Sequence, residues 1–591
     1  MFKLLKRLGV KGWLMMCASL IFVVAQVWLD LRVPDYMSSV TRIVSTPGGT
    51  VSDVLAEGGK MLLCAIGSVA TAVIVGYFAA NVAAAFSHRL RGDVFRRVES
   101  FSMEEISGFS TASLITRTTN DITQIQLIVA MGLQVVIRAP IMAVWAVGKI
   151  STKNWEWTVL TGGFVAFIII VILTLMAYAM PRFRKIQTLT DNLNRVTREN
   201  LTGIRVVRAY NAESYQEGKF EEANSDFTTN SLQVNRAMQI MNPVMRLVMT
   251  GLSLGIFWIG AFLIDAAQAM DKILIFSDMV VFSQYAMQVI MSLMMLTIVF
   301  IMLPRVMVSV NRVNEVLDTE PKIIDGTAHL PFGRAVVGEV EFKHVSFKYP
   351  DAEEYVLRDI SFKAKQGETV AFIGSTGSGK STLINLIPRF YDATEGQVLV
   401  DGADVRDYAQ SALRDKLGYV PQRAVLFRGT VSSNVDFGEN GKPPADEADI
   451  KRAVRVAQAD EFVEEMEDGY NAHIAQGGTN VSGGQKQRLA IARAVCRKPE
   501  IYIFDDTFSA LDFRTDRELR SALGRETAGA TNLIVAQRIG TIRDANKIVV
   551  LDDGELVGMG THDELMKTCE VYQEIAYSQL SKEELGHERQ K

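Results

Sequence analysis

Long runs without a single charged side chain crowd into the first half of this 591-residue chain. They cover Trp13–Leu29, Met61–Phe86, Trp157–Met180, Leu247–Ile264 and Met279–Pro304, and a further run over about 126–150 is interrupted only by Arg138 and Lys149. A helix needs roughly 20 apolar residues to cross a bilayer, where every backbone amide must find its partner within the segment. These runs predict six membrane-spanning helices, at about 13–33, 61–86, 126–150, 157–180, 244–264 and 276–304. The opening MFKLLKRLGVKGWLMMCASL is basic and then apolar, like a secretory signal. No small-residue cleavage site follows cleanly, so it reads as a retained first span.

Basic residues set the orientation. Lys3, Lys6, Arg7 and Lys11 precede the first span, and the long loops at about 87–125 and 181–243 carry Arg89, Arg91, Arg96, Arg97, Arg182, Arg184, Lys185, Arg205 and Arg208. The other side offers only Arg42, Lys60, Lys149, Lys153 and Lys272. The positive-inside rule places both termini, both long loops and the hydrophilic second half in the cytoplasm of a multi-pass protein of the cell membrane. Both loops keep apolar positions at helical spacing with few Gly or Pro, so the helices are expected to run on past the membrane surface. A hydrophobic share of 48% with 22% charged residues fits one membrane domain (1–315) and one soluble domain (338–580), joined by a linker (316–337) and followed by a charged tail (581–591). The net charge of −4 gives no sign of a nucleic-acid partner, and Cys17, Cys64, Cys496 and Cys569 lack metal-ligand spacing. The expected fold class is therefore multidomain, an all-α six-helix transmembrane domain followed by a soluble α/β domain of alternating strand and helix segments.

Chemistry enters after VGEVEFKHVSFKY, an alternating strand, and GETVAFIG, a buried one. GSTGSGKST at Gly374–Thr382 fits the phosphate-binding pattern G-x-x-x-x-G-K-[ST] in full. Gly374, Gly377 and Gly379, with Ser375, Thr376 and Ser378 between them, let the backbone curl so that its N–H groups face phosphate oxygens. Lys380 reaches the β- and γ-phosphates, Ser381 can ligate Mg²⁺, Thr382 follows it, and the helix starting there turns its positive end to the anion. KPEIYIFDD supplies the acidic strand end such a site needs, with Asp505 placed to hold Mg²⁺. VSGGQKQRLAIARA at Val481–Ala494 is a second helix-start anion site. One ATP cannot occupy two cradles about 100 residues apart unless they meet in space.

With these motifs on one stretch, residues 338–578 resemble the nucleotide-binding domain of ABC transporters, and the first half resembles the exporter-type membrane domain. The resemblance rests on the P-loop, the signature VSGGQ, the strand ending in Asp505, SALD at Ser509–Asp512 and YVPQ at Tyr419–Gln422. It implies two such domains dimerising head to tail, each ATP lying between one P-loop and the other chain's Ser482, Gly483, Gly484 and Gln485. It further implies Tyr349 against adenine, Gln422 near Mg²⁺, Asp512 at the interface, and coupling helices around Met103–Phe109 and Asn200–Tyr210. The chain carries one membrane domain and one ATP domain, so the resemblance makes it a half that works with a second subunit.

Two positions depart from the family pattern. Where a general-base Glu is expected after Asp505 there is Asp506, one methylene shorter, which draws the carboxylate back by about 1.5 Å, and misplacement on that scale costs around a hundredfold in rate. Where a switch His is expected after NLIVA there is Gln537, which donates hydrogen bonds but carries no charge. The signature is intact. This combination resembles the weak-site subunit of heterodimeric bacterial multidrug exporters, as do GGTNVSGGQKQR and RAPIMAVWAVG. The expectation is ATP-driven export of small amphipathic compounds, drugs or lipids, with hydrolysis at the partner's site. A homodimeric lipid or peptide exporter with slow turnover and an ATP-gated, channel-like protein are the competing readings. The Met-rich sixth span suits either a promiscuous apolar cavity or plain helix packing. Arg138 and Arg246, unusual within or near spans, either attract an anionic substrate or hydrogen-bond between helices.

Overall fold

The computed structural model describes residues 2–46, 48–151, 154–326, 337–350 and 352–579. The tail expected at 581–591 and part of the expected linker lie outside the described residues. The chain divides into two compact units, the first comprising Met1–Glu99 and Ala112–Thr319, the second Ser100–Thr111 and Glu320–Lys591.

Six long helices build the first unit: Val10–Ser45, Val51–Glu99, Thr111–Ser151, Trp155–Thr202, Glu213–Ala266 and one starting at Ala269 and ending at Asp318. Each contains one of the expected spans and most run far beyond it. The Trp155 and Ala269 helices extend to Thr202 and Asp318 through charged sequence, because straight-chain charged residues are themselves good helix formers and nothing there breaks the backbone ladder. Two π-helical turns, Arg117–Asp121 and Gly132–Val136, interrupt the third helix. A turn at Ile240 separates the cytoplasmic Glu213–Gln239 from Met241–Ala266.

Polar bonds between spans fix which helices touch. The buried Trp157 indole donates to the carbonyl of Ile256 at 3.1 Å, tying the fourth span to the fifth. The Tyr285 hydroxyl reaches Asp35 at 2.5 Å and the Leu31 carbonyl at 3.0 Å, joining the sixth span to the first. Lys149 bonds the same Asp35 carboxylate at 2.7 Å. Arg138 donates to Asp30 at 2.8 Å, so one of the two intramembrane arginines does bridge helices. Arg246 is exposed and makes no ion pair among the described residues.

The second unit holds two main sheets. One is antiparallel, in the order β2 (Leu357–Ala364), β1 (Val340–Phe347), β4 (Glu395–Val400), β5 (Ala403–Asp404). The other has six strands in the order β12 (Glu555–Gly560), β11 (Lys547–Asp552), β3 (Thr369–Gly374), β10 (Thr531–Val535), β9 (Ile501–Asp505), β6 (Leu417–Val420). All of its pairings except β11 with β12 are parallel. A short pair, β7 (Gly429–Thr430) and β8 (His473–Ile474), stands apart. Every residue of β9, IYIFD, is buried, as expected of a strand covered on both faces. Register is what matters for the site: Val535 pairs Phe372 and Asp505, and Val420 pairs Phe504, so the strand ends of β3, β6, β9 and β10 share one edge.

Met103–Phe109 forms a helix that belongs to this second unit. Ser102 caps it, and Glu105 closes the reciprocal capping box with a 2.7 Å bond from the Ser102 amide. The same carboxylate accepts from the Lys322 amide at 3.2 Å, and Glu104 pairs with the Lys322 ammonium. The other expected coupling segment is a short helix, Ile204–Ala209, in the first unit, with Val206 and Tyr210 exposed. Removing the cap with Ser102→Ala is expected to cost about 1 kcal/mol locally and to speed amide exchange over 104–106 about fivefold, with ATP binding unchanged. Hydrogen-exchange mass spectrometry of the full chain checks this, and protected amides in the variant would contradict it.

Candidate functional site

The loop between β3 and the helix Lys380–Asn385 shapes the centre of the site. Gly374, Gly377 and Gly379 all have positive φ (157°, 90° and 91°). A Cβ at Gly374 would fall 2.0 Å from the Leu551 carbonyl oxygen, and one at Gly379 2.7 Å from a Leu357 methyl. Glycine is required there for space as well as for backbone angle. The Lys380 ammonium is held in the loop by the carbonyls of Gly374 (2.9 Å) and Ser375 (2.6 Å) and by Ser378 Oγ (3.2 Å). Burial pushes its pKa down, opposed by the neighbouring Asp506 and Asp505 carboxylates.

A pocket of about 230 Å³ opens over this loop, lined by Thr376, Lys380 and Ser381 of the loop and helix, Gln422 beyond β6, Asp506 beyond β9 and Gln537 beyond β10. Four segments spread along the chain between Thr376 and Gln537 meet because their strands end at one sheet edge, where ligands of α/β sheets bind. Ser381 Oγ donates to Asp505 Oδ1 at 2.8 Å. A hydroxyl and a carboxylate of this kind are hard oxygen donors, and they fit Mg²⁺. Burial raises the pKa of Asp505, countered by that Ser381 bond; burial likewise raises that of Asp506, countered by its bonds from Gln422 and Ser509. Both carboxyls thus sit where a cation would stabilise their charged form.

Asp506 occupies the left-handed region at φ 45°, a conformation Asp tolerates better than most residues. Its amide donates to Val535 O at 3.0 Å, and its carbonyl accepts from Ser509 Oγ at 2.9 Å. The carboxylate is the notable part: Oδ2 accepts from Gln537 Nε2 at 2.7 Å and from Gln422 Nε2 at 3.4 Å. The two residues that depart from the family pattern are bonded to each other, which no sequence signal disclosed.

The remaining expected residues stand elsewhere. Ser482 caps the helix Gly483–Cys496, with Gln485 completing a capping box. Gly483 faces open space, since a Cβ there would meet nothing within 4 Å. Among the described residues lining the phosphate pocket, none comes from Ser482–Gln485. Asp512 caps the helix Phe513–Glu526 through a 3.0 Å bond from the Thr515 amide, and that backbone bond holds its carboxyl below the usual range. Tyr349 bonds Thr382 Oγ1 through its hydroxyl at 3.0 Å, and its ring meets Phe347 and Tyr391 edge-on at 5.0 and 5.4 Å. Tyr391, which the sequence did not single out, lies beside Ser107 of the Met103–Phe109 helix; burial raises its pKa and Ser107 opposes the rise. Thr382, Tyr349 and Tyr391 thus lead in direct contact from the P-loop helix toward Ser107 of that helix.

Known proteins match both units. The family model for the ABC transporter transmembrane region matches residues 16–293, and the one described as ABC transporter matches 357–509. The chain belongs to the ABC transporter family. An uncharacterised ABC transporter ATP-binding protein of Mycobacterium tuberculosis (strain ATCC 25618 / H37Rv) is 40% identical over 88% of this chain and 87% of its own. The ATP-dependent lipid A-core flippase of Pseudomonas fluorescens (strain Pf0-1) is 32% identical over 83% of this chain and 80% of its own. A solved structure of a bacterial Atm1-family ABC exporter with ATP bound shares the fold, with TM-score 0.77 at 24% identity over 98% of this chain and 99% of that one.

This ABC half-transporter is therefore a multi-pass protein of the plasma membrane with a cytoplasmic ATP domain, and it couples ATPase activity to transport. ABC exporters act as dimers in the membrane. Lys380→Ala removes the ammonium held in this loop and is expected to weaken ATP binding by about 10- to 100-fold. Titration with a fluorescent nucleotide analogue reads it; unchanged affinity would remove Lys380 from the site.

Proposed function

We propose that this chain is the ATP-retaining half of a heterodimeric exporter of amphipathic compounds, drugs or lipids. The observation that carries the reading is the 2.7 Å bond between Gln537 and Asp506. A general base must offer a lone pair to water within hydrogen-bond reach. Here the candidate base is short by one methylene, and its Oδ2 is already engaged by two amides. The partner amide brings no positive charge to a γ-phosphate. Such a site holds ATP through Gly374–Thr382 and turns it over slowly.

The intact signature, Ser482–Gln485, then serves the other subunit's nucleotide, and that subunit is expected to carry Glu and His at the two altered positions. Ser381, Gln422 and Asp505 would hold Mg²⁺, which when bound neutralises charge on the phosphates. Tyr349 would lie near adenine and Asp512 at the dimer interface. ATP binding draws the two nucleotide domains together, the cytoplasmic helix extensions convey that closure, and the membrane domains open outward. Likeness to the lipid A-core flippase supports lipids among the substrates, and with them a homodimeric lipid exporter as the second reading.

ATPase assays separate the two. The purified chain alone should hydrolyse ATP slowly and the chain with its partner at least tenfold faster; vigorous hydrolysis by the chain alone would refute the heterodimer. Because Asp506 and Gln537 touch, Asp506→Glu and Gln537→His are expected to act non-additively, the double variant gaining more than the two single gains together. Additive gains in a single-turnover assay would mean that the observed bond does not limit hydrolysis.

A further inference from the structure

A cavity of about 380 Å³ opens within the membrane domain between the first, second, third and sixth spans, and the residues around it include Asp30, Ser68, Arg138 and Gln288. Polar groups at this depth are costly unless paired, so each is expected to be satisfied. Asp30 is: one carboxylate oxygen accepts from Ser68 Oγ and the other from Arg138 Nη2 at 2.8 Å. Arg138 is not. A guanidinium has five N–H donors in a planar fork. Among the described residues only the bond to Asp30 uses one, and the side chain remains 31% exposed. Gln288 Oε1 is buried with no hydrogen-bond partner.

The Lys149–Asp35 ion pair provides a contrast. Asp35 accepts from both Lys149 and Tyr285, and none of the three is among the described residues lining this cavity. The cluster behaves as a helix fastener. The Arg138 pair is held on one side and open on the other. The π-helical turn Gly132–Val136 ends two residues before Arg138, and turns of this kind, often found at functional sites, shift the face presented by the residues that follow. Met291 and Met295, both partly exposed, supply an adaptable apolar wall beside the polar groups.

Building on the exporter reading, we infer that this cavity binds the oxyanion headgroup, phosphate or carboxylate, of an acidic amphiphile. The free donors of Arg138 take the anion, Asp30 and Ser68 hold the guanidinium in position, Gln288 Oε1 accepts from a hydroxyl or amide beside the charged group, and the methionines take the start of the apolar chain. A planar fork suits such oxyanions better than a point charge. The substrate class narrows from amphipathic to acidic and amphipathic.

The test uses the full-length chain in phosphatidylcholine nanodiscs, with four probes that share a dodecyl chain: dodecyl phosphate, laurate, dodecyltrimethylammonium and dodecyl maltoside. Binding is measured by titration against empty nanodiscs. Saturable binding is expected for the two anions and not for the cationic or neutral probe. A phosphate preference would mark a phospholipid-like headgroup, and equal affinity a general oxyanion site. Arg138→Gln is expected to weaken both anions at least tenfold, and Arg138→Lys to keep part of the affinity. The neutral double variant Asp30→Asn/Arg138→Gln avoids leaving a lone buried charge, and it should also lose the anions. Equal binding of the cationic probe, or wild-type anion affinity in that double variant, would overturn the assignment. Nucleotide titration of the same samples separates the two readings: ATP bound without anion selectivity sinks this inference alone, whereas absent ATP binding sinks the exporter function itself.

Discussion

Parallel hydrogen bonding between β3, β10, β9 and β6 is the interaction on which the ATP site depends. Each strand is short, and none carries the whole site. Their shared register brings Gly374, Val420, Asp505 and Val535 to one edge, and the residues just beyond, Gln422, Asp506 and Gln537, then lie within hydrogen-bond range. A slip of one residue in any pairing would reverse the faces of that strand and separate the carboxylates from the loop. The buried apolar runs of β3 and β9 keep both strands inside the sheet, since exposing either to water would cost the burial that holds it together.

The membrane domain depends on a different constraint with the same outcome. Without water, backbone polarity is resolved inside each helix, which leaves side chains to specify neighbours. A few bonds do so: Trp157 to the fifth span, Tyr285 and Lys149 to Asp35, and Arg138 to Asp30. Most are closed pairs. The Arg138 pair, with unused donors beside a cavity, is the exception.

Much of this was legible in the sequence, and the rest was hidden for identifiable reasons. The six spans, the phosphate loop and Asp505 were readable because each rests on local spacing. The Met103–Phe109 helix was placed correctly through resemblance. Helix ends were not readable, since hydropathy falls where a span leaves the bilayer while the helix itself continues through charged residues to Thr202 or Asp318. Asp30 was passed over because it follows the uncharged run Trp13–Leu29 by one residue, and its partner lies 108 positions away. The Gln537–Asp506 bond, 31 residues apart across two strand ends, and the place of Tyr391 between Ser107 and Tyr349 are products of the sheet and its packing. No window along the chain could show them.

The sixth helix is 50 residues long, Ala269–Asp318, with no break in it. At 1.5 Å per residue it is about 75 Å from end to end. An unbroken rod of that length works as a lever: a tilt of about 5° about one end displaces the other by about 6 Å, roughly one helical turn. Small angular changes at the cytoplasmic end are thereby geared up into displacements the size of a side chain among the residues of the sixth span, without any bond within the helix having to break.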